Sequence, residues 1–199
     1  FIGVILFLFS IYLLSEIFKT NRYTIKDIVE SAMLIAFALV LDIAIFKIKL
    51  TLTGGSISFI MIPLLILSLR QGFVKGFISC GIVYGILACI FDNYGFFTYP
   101  FDYLLGFGLL AFVGIFKNII LPKDSNKLTI KGAIFLVVGV VIAIGLRLLA
   151  STISGIVFYG LDFWGSFVYQ ITYIGPSLAI SLAAMLLLYK PLLLINRLF

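Results

Sequence analysis

Apolar residues fall in long runs, broken by short polar punctuation, with neither the strict alternation of strands nor the single apolar stripe of a water-exposed helix. A bilayer-spanning helix needs about 20 mostly apolar residues, and the runs divide naturally on that basis. The first covers 1–18 and is closed by Lys19, Asn21 and Arg22. The second opens after Thr24, which with Asp27 three positions on forms an acidic capping box, and continues to about residue 46. A polar, glycine-rich stretch follows over 47–58. The shorter run 57–69 contains Pro63, which predicts a kinked or tightly packed helix. Arg70-Gln71-Gly72 predicts a sharp turn into the run 73–91, and the segment 92–100 is polar and aromatic. Runs at 101–121, 132–159 and 167–189 complete the chain, separated by a hydrophilic loop at 122–131 and a short one at 160–166. The expected fold is all-α and membrane-embedded: residues 1–22 as an extra N-terminal transmembrane helix, and 23–199 as a six-helix domain. Neither an internal repeat nor a low-complexity segment interrupts this pattern.

Charge gives the runs a direction. Eleven Lys and Arg residues (19, 22, 26, 70, 75, 117, 123, 127, 131, 190 and 197) flank helix ends on one side, Lys47 and Lys49 lie on the other, and Arg147 falls within a span. Basic residues collect on the cytoplasmic side, so the C-terminus is expected there and the loops at 47–58, 92–100 and 160–166 outside. A net charge of +6 scattered in this way sets topology and does not describe a nucleic-acid footprint.

Composition agrees. The chain has 199 residues, 63% hydrophobic and 11% charged, with a mean hydropathy of +1.28. A soluble domain carries about 25% charged residues, so a soluble enzyme is excluded. Histidine is absent, which removes His-based acid–base chemistry and most zinc sites. Cys80 and Cys89 share one apolar run without metal-ligand spacing and read as small buried residues. The first run lacks the basic start and cleavage site of a signal peptide, and an opening at Phe1 without methionine suits a fragment.

The outer loops carry the candidate chemistry. Asp92 and Asp162 lie in them, Asp42 and Asp102 at helix ends on the same side, among Tyr94, Tyr99, Tyr103, Tyr159, Trp164, Tyr169 and Tyr173. An aromatic belt at the membrane interface would account for the rings but has no use for the carboxylates. Rings and carboxylates together suit a flat, nitrogen-rich or cationic small molecule. A guanidinium inside a span is costly and calls for a partner, so Arg147 is expected to pair with Asp102, or failing that with Asp42. Ala32 and Ala36, four apart, share one helix face and permit close approach of another helix.

Four stretches, read in order, resemble the substrate-binding components of energy-coupling factor transporters, in particular the thiamine-specific family. They are Ser31-Ala32-Met33-Leu34-Ile35-Ala36-Phe37-Ala38; Ile62-Pro63-Leu64-Leu65-Ile66-Leu67-Ser68-Leu69-Arg70-Gln71-Gly72; Asp102-Tyr103-Leu104-Leu105 with Gly114-Ile115-Phe116; and Ile153-Ser154-Gly155-Ile156-Val157-Phe158-Tyr159. The resemblance covers 25–188 and omits the first run. It implies a six-helix protein that captures a vitamin in an outward pocket and docks on a transmembrane coupling subunit driven by two cytoplasmic ATPases. It gives Ala32 and Ala36 the docking role, and makes Asp102, Tyr103, Tyr159, Trp164 and Tyr169 counterparts of pocket residues. The family's His is matched by Ser151, its Asn by Ile174, and an early loop tryptophan by about Gly54. Those changes alter polar partners, and polar partners discriminate strongly, so thiamine and a related cationic or heteroaromatic vitamin both stay open.

The expected function is therefore non-enzymatic: a multi-pass plasma-membrane subunit binding a vitamin through Tyr94, Asp102, Tyr103, Arg147, Ser151, Tyr159, Trp164 and Tyr169, without cofactor, metal or nucleic acid. No GxxxxGK[ST] is present, so ATP use falls to partners. A self-sufficient secondary carrier is the rival, though such folds often show repeats with broken helices.

Overall fold

The computed structural model describes residues 22–42, 48–49, 55–92, 95–122 and 128–198. The run expected to form an extra N-terminal helix lies outside them, as do Tyr94 and Gly54. Six helices make up nearly all of the described residues: α1 (Ile25–Leu41), α2 (Met61–Gln71), α3 (Phe73–Asp92), α4 (Tyr99–Ile120), α5 (Ile130–Tyr159) and α6 (Phe163–Leu198). Between α1 and α2 stands a two-stranded antiparallel hairpin, β1 (Ile48–Lys49) with β2 (Ser56–Ile57), Ile48 facing Ile57. Four helices, α3 to α6, are long and apolar enough to cross a membrane.

Local chemistry explains the helix ends. Thr24 accepts from the Asp27 amide and Asp27 Oδ2 accepts from the Thr24 amide at 2.9 Å, the reciprocal capping box read from the sequence. Thr129 caps α5 in the same manner, accepting from the Gly132 amide at 3.1 Å. The Arg70-Gln71-Gly72 turn is made by Gly72 at φ 88°, a conformation glycine adopts without the Cβ penalty. Pro63 does not kink α2. It occupies the first turn, where the missing amide would have had no intrahelical partner. The helix is instead packed on nearly every side, with Leu64, Leu65, Leu67 and Leu69 fully buried. The expected loop at 160–166 is shorter than read, because α6 starts at Phe163 with the Asp162 carboxylate accepting from the Gly165 amide.

In lipid, apolar burial does little to drive helices together, so close packing and hydrogen bonds carry more of the association. The α5–α6 pair shows both. A side-chain carbon built on Gly155 would lie 2.1 Å from Ser166 Oγ. That contact lets Ser166 donate to the Thr152 carbonyl at 2.9 Å, while Gln170 Nε2 donates to the Ser151 carbonyl at 3.1 Å. A second network ties α1, α2 and α3 at the end of the bundle that holds Thr24, Gln71 and Phe73. Gln71 Nε2 donates to the Asp27 carbonyl and to Ser31 Oγ, each at 2.8 Å, and Lys75 pairs with Asp27 at 2.6 Å. Arg70 pairs with Glu30, and the Tyr23 hydroxyl, its pKa raised by burial, donates to the Lys75 carbonyl at 3.0 Å. The opposite end carries the hairpin and the aromatic residues.

Candidate functional site

The site is assembled where α4, α5 and α6 meet. The chain of α4 begins as a π-helical stretch over Tyr99–Leu105, which presents Asp102 and Tyr103 one after the other. Such stretches occur often at functional sites. Tyr103 is buried and its hydroxyl donates to Asp92 Oδ2 at 3.3 Å, joining the end of α3 to the start of α4. From α5, Arg147, Ser151 and Ser154 recur at helical spacing on one face; Ser151 and Ser154 are buried. From α6 come Tyr169 and Tyr173, edge to face with centroids 5.7 Å apart. The Tyr173 hydroxyl donates to Gln170, and Gly55 of the hairpin lies directly against the Tyr173 ring. Ser58 N donates to Ser177 Oγ at 3.3 Å, so the β2 strand is seated on this part of α6.

The expected ion pair is not formed. Asp102 Oδ2 accepts from Ser154 Oγ at 2.6 Å, whereas the Arg147 guanidinium lies over the Phe107 ring, 4.0 Å from its centroid. Helical rise explains the exchange of partners. Arg147 precedes Ser154 by seven residues, about 10 Å along the axis, so Ser154 is level with Asp102 and Arg147 with Phe107, deeper in α4. Asp102 and Arg147 remain within each other's electrostatic reach. Among the described residues, Arg147 Nε and Nη1 and the Tyr84 hydroxyl are buried without a hydrogen-bond partner, and Tyr84 packs edge-on against the same Phe107 at 4.7 Å. An acceptor-bearing carboxylate, a donor-rich guanidinium and several rings thus line one region of the bundle interior. That set suits a heteroaromatic molecule that both donates and accepts.

Other candidates sit differently. Tyr159, the last residue of α5, is 55% exposed, and Trp164 is 69% exposed, edge-on to Phe163 and Phe167. Both are largely exposed, and Tyr159 remains within electrostatic reach of Tyr173. Ile174 is buried in the apolar core. Sequence reading missed Ser154, Phe107, Tyr84 and Gln170. Only Ser154 had a signal, its place one helical turn beyond Ser151 and two beyond Arg147.

On the far side, Ala32 and Ala36 are exposed along an apolar groove of about 440 Å³ between α1 and α3. Tyr23, Ser31 and Ser79 line it with Ile35, Val83 and Leu87, and it shares no residue with the α4–α6 cluster.

The thiamine transporter protein family matches residues 28–197. The chain belongs to that family. It is 31% identical over 173 residues to the thiamine transporter ThiT of Bacillus subtilis, covering 81% of this chain and 89% of that one. A solved structure of ThiT from Listeria monocytogenes superposes with a TM-score of 0.66 at 23% identity, over 83% of this chain and 93% of the other. The family consists of transporters rather than enzymes, and the four long apolar helices make this member a multi-pass membrane protein. The fold expected from the resemblance is the fold found, and the matched region again leaves out the first run.

Proposed function

We propose that this member of the thiamine transporter family is the substrate-binding subunit of an energy-coupling factor importer for thiamine or a closely related water-soluble vitamin. The observation that carries the reading is the convergence of Asp102, Arg147 and the Tyr103, Tyr169 and Tyr173 rings inside the bundle of a transport family. In this reading Asp102 accepts from the ligand's amino group, Arg147 donates to an acceptor on it, and the rings stack on its faces. Ser151, Tyr159 and Trp164 belong to the wider candidate set, the last two at its rim, and Tyr94, which lies outside the described residues, joins it on the sequence alone.

The same reading gives the protein its partners. The exposed Ala32–Ala36 face of α1 and the apolar groove beside it receive a transmembrane helix of the coupling subunit, because small residues allow backbones to approach closely. Two ATPase subunits energise that partner. The pocket faces outward and the C-terminus is cytoplasmic, following the distribution of Lys and Arg.

Calorimetric titration of the purified protein in detergent with thiamine tests the ligand. Saturable binding of thiamine, or of another heteroaromatic vitamin in competition, is expected; a folded protein that binds none of them overturns the reading. Co-purification with an ATPase module distinguishes a docking subunit from a self-sufficient carrier, which would transport alone.

A further inference from the structure

Ser154 is given no contact with the ligand in the reading above, yet its hydroxyl donates a 2.6 Å hydrogen bond to Asp102 Oδ2. It is 1% exposed, and it is locked there from behind. Ser166 and Gln170 of α6 grip the carbonyls of Thr152 and Ser151, and the bare Gly155 lets α6 close against the next residue of α5. Rotation of α5 that would withdraw Ser154 breaks these contacts.

Asp102 has one alternative of opposite charge acting on it among the described residues, the Arg147 guanidinium. Two of that guanidinium's nitrogens are buried with no acceptor. A carboxylate and a guanidinium in low dielectric attract strongly, and a bidentate pair between them would satisfy both groups at once. Such a pair would also remove both from ligand recognition, since the carboxylate's acceptor sites and the guanidinium's donors would be spent on each other. Helical rise sets the guanidinium deeper than the carboxylate, and among the described residues the one hydrogen bond that restrains the Asp102 carboxylate from another helix, against the pull of Arg147, comes from Ser154.

We infer that Ser154 is a positioning residue of the ligand site: by holding Asp102 it keeps the carboxylate and the Arg147 guanidinium separate, so that the two meet the ligand as an acceptor and a donor. The inference rests on the proposed ligand site, and it names the residue that keeps that site open. Ser154 does not itself touch the ligand.

The test compares wild type, Ser154→Ala and Ser154→Thr as full-length proteins in detergent, by thermal denaturation and by thiamine calorimetry. Loss of the hydroxyl frees Asp102 to pair with Arg147, so Ser154→Ala should bind thiamine about tenfold or more weakly, the scale of one hydrogen bond to a charged group. Its Tm should be unchanged or higher, because the new ion pair satisfies the guanidinium. Ser154→Thr keeps the hydroxyl and should bind like wild type. A second arm needs no ligand. Arg147→Met should lower Tm in the Ser154→Ala background and leave it unchanged or raised in wild type, because only the alanine variant has an ion pair to lose. Wild-type affinity in Ser154→Ala, equal losses in the alanine and threonine variants, or the same Arg147→Met effect in both backgrounds would overturn the inference. Should wild type bind no thiamine, the ligand assignment fails while the double-mutant cycle still decides the role of Ser154.

Discussion

Arg147 carries a conflict that its neighbours only partly relieve. A guanidinium over a desolvated ring gains about 2 kcal/mol. Each buried donor left unpaired costs about 1–3 kcal/mol, and Arg147 has two. The balance is unfavourable for stability, which is the pattern expected of a residue kept for its ligand and not for the fold. Arg147→Met removes the unpaired donors while conserving bulk. Thermal denaturation should therefore show an unchanged or raised Tm, and thiamine affinity should fall about tenfold, the scale of a lost charge-assisted hydrogen bond. A clear drop in Tm with affinity intact would make Arg147 a structural lock instead. At this scale the sequence was only partly legible. It marked Asp102 and Arg147 as unusual and misassigned them to each other. Pairing depends on axial level between two antiparallel helices, and nothing in either helix's own sequence states where its neighbour begins.

Helix ends are the elements most faithfully written in the chain. Thr24 and Asp27 cap α1 as their spacing dictates, because both hydrogen bonds close within four residues and need no tertiary help. Thr24→Ala should cost about 1 kcal/mol, read as a lowered Tm without change in ligand affinity, since the cap lies at the other end of the bundle from Asp102. Helix–helix contacts are less visible. Gly155 looks like any glycine in an apolar run, yet its missing Cβ is what lets Ser166 reach the Thr152 carbonyl. Gly155→Leu should push α6 off α5, lower Tm by the equivalent of about 1–3 kcal/mol, and weaken ligand binding with it, because Ser151 and Ser154 move too. A leucine variant with wild-type Tm would show that this contact does not set the helix spacing. Pro63 left two outcomes open, a kink or tight packing, and the structure shows the tightly packed helix. Which of the two a proline brings depends on where the helix starts, and α2 starts two residues before it.

Across the molecule, the proposed ligand cluster of α4–α6 and the apolar groove of α1 and α3 have no residue in common. Binding and docking should therefore be separable by mutation. Ala36→Leu, or Ala32→Leu, fills the groove with a branched side chain and should abolish co-purification with the coupling module while thiamine affinity stays at the wild-type value. Loss of both together would contradict the separation. By itself the sequence determined the membrane class, the approximate spans of the described helices and the α1 cap, since each follows from local composition or from contacts a few residues long. The tertiary structure alone decided that Ser154 and not Arg147 holds Asp102, that Phe107 lies under the guanidinium, and that Trp164 stays on the surface. Those outcomes depend on the depth and rotation at which one helix packs against another, which is fixed by shape and hydrogen bonding between segments far apart in the chain.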